Sequence, residues 1–428
     1  MLNIKKYYFL FKDKGLFHIF GSNIINNIIQ FFTGIMIVNL ISKPDYGIYT
    51  YAYNIISFSL LMRGLGVVTG MLQFCSESKT SEEMFEIFKF SFIKSNVINV
   101  IISIVLLIYA LFTSNIILEA RLYLISMVGL PLAQGLFDYS MTYFRIKMQN
   151  RQFSYLNNLN SIFYFFFSII GAKYFGIFGI IIARYFAYIS CFIISLFWAK
   201  NDLLKIFNAK KIDCYKAVAI FKYSLTVCAS NSLSELLYLL DVFLIGIFIA
   251  NSSIIASYKV ATQIPNALIF IPSSIMVFIY PYFAKNRNNI PWLKENIKKI
   301  FLGLAVINGC ISIALFILAP LIIEILWGNK YIDALPVFRL LAINFFFLGT
   351  FRIPCGNILA MVHKVNINLV ISIITGLTNI VLDIYLIQIW GSIGAAIATM
   401  IVVLLSSGFS AFYLFKYIKL NEIKETTK

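Results

Sequence analysis

The sequence predicts an all-α membrane protein: twelve transmembrane helices in two six-helix bundles, related by a pseudo-two-fold axis along the membrane normal, with a central cavity. Three observations predict this. Of 428 residues, 60% are hydrophobic and only 12% charged, against roughly a quarter charged in a soluble domain, so lipid must solvate much of the surface. Apolar runs of about 20 residues, long enough to cross about 30 Å of hydrocarbon, recur twelve times. Short motifs repeat between the halves at nearly one offset, as duplicated bundles require.

The runs fall at residues 16–40, 48–72, 91–113, 120–144, 156–173, 175–198, 217–249, 254–280, 299–318, 334–361, 366–388 and 391–416. All are expected to be helices, because no other open structure satisfies its backbone groups in lipid and none of the runs alternates like a barrel strand. The seventh and tenth are long enough to tilt or project beyond the bilayer. The first follows Lys5, Lys6, Lys12 and Lys14 and opens without a small-residue cleavage site, so it is expected to stay as an anchor.

Charge orients the spans. With the N-terminus placed inside, the inner segments carry 25 lysines and arginines, while the outer loops carry four, Lys43, Arg121, Lys173 and Lys330. The excess alternates loop by loop, which supports an even span count and puts both termini on the cytoplasmic side. Trp198, Trp292, Trp327 and Trp390 fall at span ends or in loops, where interfacial aromatics belong. The net charge of +17 is spread in short clusters between apolar stretches, so it reads as topology and not as a nucleic-acid face.

The six cysteines show no zinc-ligand spacing, and His18 and His363 are too far apart in sequence to suggest a paired site. Walker A, Rossmann and HExxH patterns are absent as well. The chain is expected to be no enzyme, with no metal and no cofactor.

The repeat rests on two matches. Gly176-Ile-Phe-Gly179-Ile-Ile-Ile-Ala183, opening the sixth span, recurs as Gly391-Ser-Ile-Gly394-Ala-Ala-Ile-Ala398, opening the twelfth, at an offset of 215. Tyr49 and Ala52 recur as Tyr258 and Ala261 at an offset of 209. These place an N-terminal bundle at 1–208 and a C-terminal bundle at 209–428. Small residues at this spacing also serve ordinary helix packing, but their place within six-plus-six spans favours duplication.

Six cations remain inside or just within spans: Arg63, Arg184, Lys222, Lys259, Arg339 and Arg352. A cation at the centre of an inserted helix costs about 2.5–3.5 kcal/mol, so each needs a partner or a use. Lys222 and Arg339 lie close enough to span ends to snorkel. Arg63, Arg184, Lys259 and Arg352 lie deeper, with Arg352 beside Pro354 and Gly356, where the helix ladder is expected to break. These four are the candidate anion-binding groups, since arginine suits bidentate phosphate contacts. Asp138, Glu235, Asp241 and Asp383 are embedded carboxylates that can pair with these cations or carry a coupling ion, and Glu324 lies near the outer surface. Asn23, Asn27 and Gln30 share one face of the first span and are expected to line a wet cavity. Pro131, Pro265 and Pro272 mark kinks.

With these features in view, the chain resembles the Wzx-type polysaccharide flippases of the multidrug/oligosaccharidyl-lipid/polysaccharide exporter superfamily. Ser42-Lys-Pro-Asp45-Tyr46-Gly47-Ile-Tyr49 is similar to that family's acidic-aromatic-Gly-x-Tyr turn, and Ile255-Ala-Ser-Tyr258-Lys-Val-Ala261 to its counterpart in the second half. Ile271-Pro272 through Tyr280-Pro281, Gly328-Asn-Lys-Tyr331 through Pro336, and Gly391 to Ala398 extend the likeness over nearly the whole chain. The resemblance implies movement of an undecaprenyl-pyrophosphate-linked oligosaccharide, an O-antigen or related surface-polymer unit of lipopolysaccharide type, from the cytoplasmic to the outer leaflet by alternating access. It implies a bacterial inner membrane, with membrane lipid, a polysaccharide polymerase and a chain-length regulator as candidate partners. The competing expectation is a cation-coupled multidrug and toxin exporter of the same superfamily; Arg63 and Arg352 argue against its cationic cargo.

Overall fold

The computed structural model describes residues 16–78, 80–112, 119–286, 289–362 and 364–426. Lys5, Lys6, Lys12, Lys14, Lys79, Arg287, Lys428 and His363, which entered the charge and ligand counts, lie outside the described residues, as do the side chains of His18, Lys285 and Lys424.

Among the described residues every regular element is helical. In chain order they are α1 (Leu16–Leu40), α2 (Lys43–Leu61), α3 (Val67–Glu77), α4 (Ser81–Phe112), α5 (Ala120–Met127), α6 (Leu130–Ile146), α7 (Asn150–Trp198) and α8 (Lys200–Asn208). They continue with α9 (Cys214–Ile249), α10 (Ser252–Leu268), α11 (Phe270–Lys285), α12 (Ile290–Trp327), α13 (Leu335–Phe347), α14 (Ile353–Met361) and α15 (Val365–Thr426).

Nine stretches of the described residues are long and apolar enough to cross a bilayer. Two of them supply two spans each. α7 is interrupted at Gly176 (φ 57°, ψ −134°) and α15 at Gly391 (φ 59°, ψ −136°). These dihedrals are close to the first central position of a type II′ turn, which is open to glycine and costly for other residues. Residues 171 and 179 of a straight helix would stand about 12 Å apart along its axis, yet a Cβ built on Gly171 would come within 2.5 Å of the Gly179 carbonyl oxygen. The helix therefore doubles back on one residue. Gly394 meets the backbone at Leu386 and Ile387 in the same way. With α9, a single helix of 36 residues, the twelve expected spans are complete.

Other spans are bent where the sequence interrupts the ladder. α2 and α3 form one span broken at Arg63–Gly66, where Gly64, Leu65 and Gly66 take φ of 51°, 45° and 73°. α5 ends at Met127, and Pro131 stands in the first turn of α6, where its missing N–H costs nothing. α10 passes into α11 between Pro265 and Pro272, and α13 into α14 through a π-helical turn, Leu348–Arg352, just before Pro354. Proline cannot complete the ladder and so leaves room for an extra residue in the preceding turn.

The helices assemble into two compact units, Met1–Leu239 and Leu240–Lys428. The first packs around Phe88, Phe137, Tyr143, Phe144 and Leu156, the second around Phe283, Leu293, Ile358, Leu359 and Leu414. The packing boundary falls inside α9, some thirty residues beyond the 208/209 division expected from the repeated motifs. The first part of α9 adheres to unit 1: Ser224 and Ile220 lie against Gly66 and Gly70, Ser232 donates to the Leu61 carbonyl at 3.1 Å, and Lys216 pairs with Glu83.

The linker helix α8 is held from both ends. Lys89 donates to the carbonyls of Phe207 and Ala209 at 2.7 and 2.8 Å, satisfying groups at its C-terminus. Asp202 in its first turn accepts from Lys147 and Tyr143 at 2.7 and 2.8 Å. Burial alone would raise the Asp202 carboxyl, but hydrogen bonds from Lys147 and Tyr143 and the charges of Lys147 and Lys205 outweigh it and hold the group below the usual carboxylate range.

Candidate functional site: embedded charges in each unit

In unit 1 the break in the second span presents Arg63, whose Nη2 meets Asp138 Oδ2 at 2.9 Å. The break is stabilised from outside the helix. Asn99 Oδ1 accepts from the freed N–H of Gly64 at 2.7 Å, and Gly64 and Gly135 carry no side chain where Ser95 and Asn99 approach them. Asp138 therefore neutralises one of the four candidate anion-binding cations. Neither side chain is fully buried: 28% of Arg63 and 32% of Asp138 remain exposed.

Arg184 meets no carboxylate among the described residues. Its Nη1 donates to the Tyr53 hydroxyl at 3.1 Å and its Nη2 to that of Tyr164 at 2.8 Å. The guanidinium also lies 4.5 and 4.2 Å from those two ring centres, and the Tyr49 hydroxyl stands 3.4 Å from that of Tyr164. Aromatic faces and phenolic oxygens together replace much of the solvation that a bare cation loses in lipid. Arg184 Nε remains buried without a partner.

The amides of the first span divide by burial. Asn23, Asn27 and Gln30 are exposed, whereas Asn26, beside them in sequence, is buried with both side-chain atoms unsatisfied. Glu235, on α9, is also exposed.

Unit 2 holds Arg352 at the end of the π-helical turn, reaching Ser410 and Ser372 at 3.5 and 3.4 Å. These are long contacts to neutral hydroxyls. Lys259 on α10 is exposed and makes no ion pair among the described residues. Arg339 lies over Phe316 and donates to its carbonyl, and Lys222 is exposed, in keeping with their reading as span-end cations.

The carboxylates of unit 2 come together. Asp241 on α9 and Asp383 on α15 lie within hydrogen-bonding reach of each other. Asp241 Oδ2 also accepts from Tyr258 and from Thr399, the latter at 2.9 Å, and Asn379 donates to Asp383 Oδ2 at 3.0 Å. Asp383 is fully buried, and the Oδ1 atoms of both carboxyls are buried without a partner. Oxygen-only donors, two of them acidic and with spare acceptor atoms, suit a proton or a hard monovalent cation.

Residue-type reading thus located the charges, and the structure supplies two pairs among them, Arg63 with Asp138 and Asp241 with Asp383. It missed the tyrosines. Tyr49, Tyr53, Tyr164 and Tyr258 count as apolar in a hydropathy scan, and only their recurrence with the repeat marked two of them. Tyr164 and Arg184 lie on opposite arms of the turn at Gly176, so recognising that the helix doubles back there would have brought the two arms together.

Two solved structures share this architecture with TM-scores of 0.74: the lipid II flippase MurJ in an inward closed conformation, 16% identical with 94% of this chain and 90% of that chain covered, and an inward-facing multidrug resistance MATE family transporter, 12% identical with 93% and 95% covered. A superfamily transporter from Pyrococcus furiosus, described as having a binding pocket of reverse polarity, aligns with a TM-score of 0.61 at 14% identity over 96% of this chain and 94% of its own. The fold is therefore one that these solved flippase and transporter structures share, in a multi-pass membrane protein. Residues 36–336 match the polysaccharide biosynthesis protein family, and the chain belongs to that family. A membrane protein of Methanocaldococcus jannaschii is 22% identical over 421 residues, 93% of this chain and 81% of that protein.

Proposed function

We propose that the protein is a flippase of the Wzx type, carrying an undecaprenyl-pyrophosphate-linked oligosaccharide from the cytoplasmic to the outer leaflet by alternating access. The observation that carries this reading is the presence of Arg184 and Lys259 inside membrane-spanning helices with no carboxylate partner among the described residues, in a chain of the polysaccharide biosynthesis protein family. A sugar and a pyrophosphate cannot enter hydrocarbon unaided, because unpaired polar groups and charges there cost several kcal/mol or more. The carrier must offer a wet, positive vestibule while the polyprenyl tail stays in lipid.

Arg184, Lys259 and Arg352 supply the positive potential, whereas Arg63 is neutralised by Asp138. Direct phosphate contact falls to Lys259, which is exposed, and to Arg352, whose guanidinium reaches the Ser410 and Ser372 hydroxyls. The exposed amides Asn23, Asn27 and Gln30 suit sugar hydroxyls. Asp241 and Asp383 form the ion-coupling site that resets the empty carrier. An exporter of organic cations is disfavoured by Arg184 and Lys259, which stand in spans without a carboxylate partner among the described residues.

Carrying about two negative charges outward across a membrane negative inside is favoured by about 4–5 kcal/mol at about 100 mV. The test is a liposome assay in which the reconstituted full chain flips a fluorescent undecaprenyl-pyrophosphate-linked saccharide. Flipping should accelerate with an inside-negative potential set to favour exit of the anion, and fall at least tenfold in Lys259→Gln and Arg352→Gln. Rates indifferent to both substitutions and to potential would reject the reading.

A further inference from the structure

The repeat brings into register two places in the chain that carry opposite charge. In the hairpin spans the offset of 215 takes Gly176 to Gly391, with φ and ψ agreeing within a few degrees, and takes the contact of Gly179 with residue 171 to that of Gly394 with residue 386. At the second and eighth spans the offset of 209 takes the N-cap Ser42 to the N-cap Asn251 and Tyr49 to Tyr258. The registers are thus set by backbone turns and caps, independently of the charged residues.

In these registers Tyr164 corresponds to Asn379, Ser168 to Asp383 and Arg184 to Thr399. The residues that converge in unit 1, Tyr49, Tyr164 and Arg184, are therefore the counterparts of Tyr258, Asn379 and Thr399, which converge with Asp241 and Asp383 in unit 2. Unit 2 has two carboxyls there, with two buried oxygens unsatisfied. Unit 1 has a serine in place of Asp383 and a guanidinium in place of the threonine hydroxyl. The place where one unit needs a cation from solution, the other fills with a cation of its own.

We propose that Arg184 is a tethered cation, holding the unit 1 cluster permanently in the arrangement that unit 2 reaches only when its carboxyl pair takes up a proton or a monovalent cation. Ion loading and release then belong to unit 2 alone, and Arg184 acts as a positioning residue for the tyrosines around it. This rests on the reading of Asp241 and Asp383 as the coupling site.

The test uses the full-length protein in lipid nanodiscs, reading the thermal midpoint as sodium chloride replaces choline chloride at constant ionic strength, and as pH varies at fixed sodium. Thr399→Arg transplants the cation into unit 2: the expected result is a folded protein whose midpoint no longer shifts with sodium or protons. Arg184→Ala removes the cation from unit 1: the midpoint should drop, recover in millimolar guanidinium but not in matched potassium, and be largely retained in Arg184→Lys. An ion-dependent shift persisting undiminished in Thr399→Arg overturns the proposal. So does an Arg184→Ala loss that neither guanidinium nor lysine restores, or no loss at all. If either variant fails to fold, the other decides. Asp383→Asn separates the two readings: a shift that survives it refutes the coupling site and the comparison with it. A shift lost in Asp383→Asn but kept in Thr399→Arg refutes the tethered cation alone.

Discussion

At the scale of single residues, the structure shows how a chain in lipid accommodates charge in two ways. Arg63 has a carboxylate at 2.9 Å, while Arg184 has tyrosine rings and hydroxyls. The first arrangement should be revealed by a mutant cycle. Asp138→Asn leaves a half-buried guanidinium short of its counter-charge and should lower stability by about 1–3 kcal/mol. Adding Arg63→Gln should recover part of that loss, as read by thermal unfolding in detergent; additive losses would mean that the pair contributes nothing. Asp202 allows a pH test outside the membrane. Its carboxyl is held below the ordinary value of about 3.9, so its contribution is fully present above that value and is lost as pH falls from there through the depressed one. Hydrogen exchange across α8 should rise over that window, and Asp202→Asn should show the fast exchange at every pH. The sequence displayed each of these charges but not its partner, because Arg63 and Asp138 meet through a helix break and packing between distant spans, neither of which leaves a local pattern.

At the scale of elements, the spans were legible because apolar run length is imposed by bilayer thickness. What the run lengths concealed was that the fifth and sixth spans, and the eleventh and twelfth, are each one interrupted helix. The expected gap at residue 174 falls near the turn at Gly176, while the limit at 391 coincides with Gly391. The break at Arg63–Gly66 was not legible either. Leu65 adopts a left-handed conformation there, which no apolar residue advertises, and the clue lies in the glycines flanking it. The hairpin turns can be tested directly. A Cβ on Gly176 meets nothing within 4 Å, so Gly176→Ala should cost about 1–3 kcal/mol from backbone strain alone. Gly303, equally uncrowded and with ordinary helical φ, is the control: Gly303→Ala should be neutral or slightly stabilising. Equal midpoints for the two variants would contradict the strained turn.

For the whole molecule, duplication explains why a fold with two units can assign different work to equivalent places. Structural symmetry at the turns and caps coexists with chemical asymmetry at Arg184 and Thr399. The motifs announced the repeat, but the exchange of Arg184 for Thr399 was invisible until the registers could be carried to positions that share no residue type. Orientation is a prediction at this scale. On a background without its native cysteines, single cysteines replacing Lys43 and Lys330 should react with a membrane-impermeant maleimide added outside cells. Those replacing Lys211 and Lys419 should react only after permeabilisation. The reverse pattern would invert the proposed direction of transport.

The one-residue reversals also determine where the polypeptide can be handled. A helix that doubles back on a single glycine leaves no loop for a protease to cut or an antibody to grasp, and an epitope inserted at Gly176 or Gly391 must prise apart arms whose backbones touch. The extended connector after α8, at Lys210 and Lys211, has exchangeable surface and no such contact, and it is there that tags, nicks or a split of the gene into two coexpressed pieces should be tolerated.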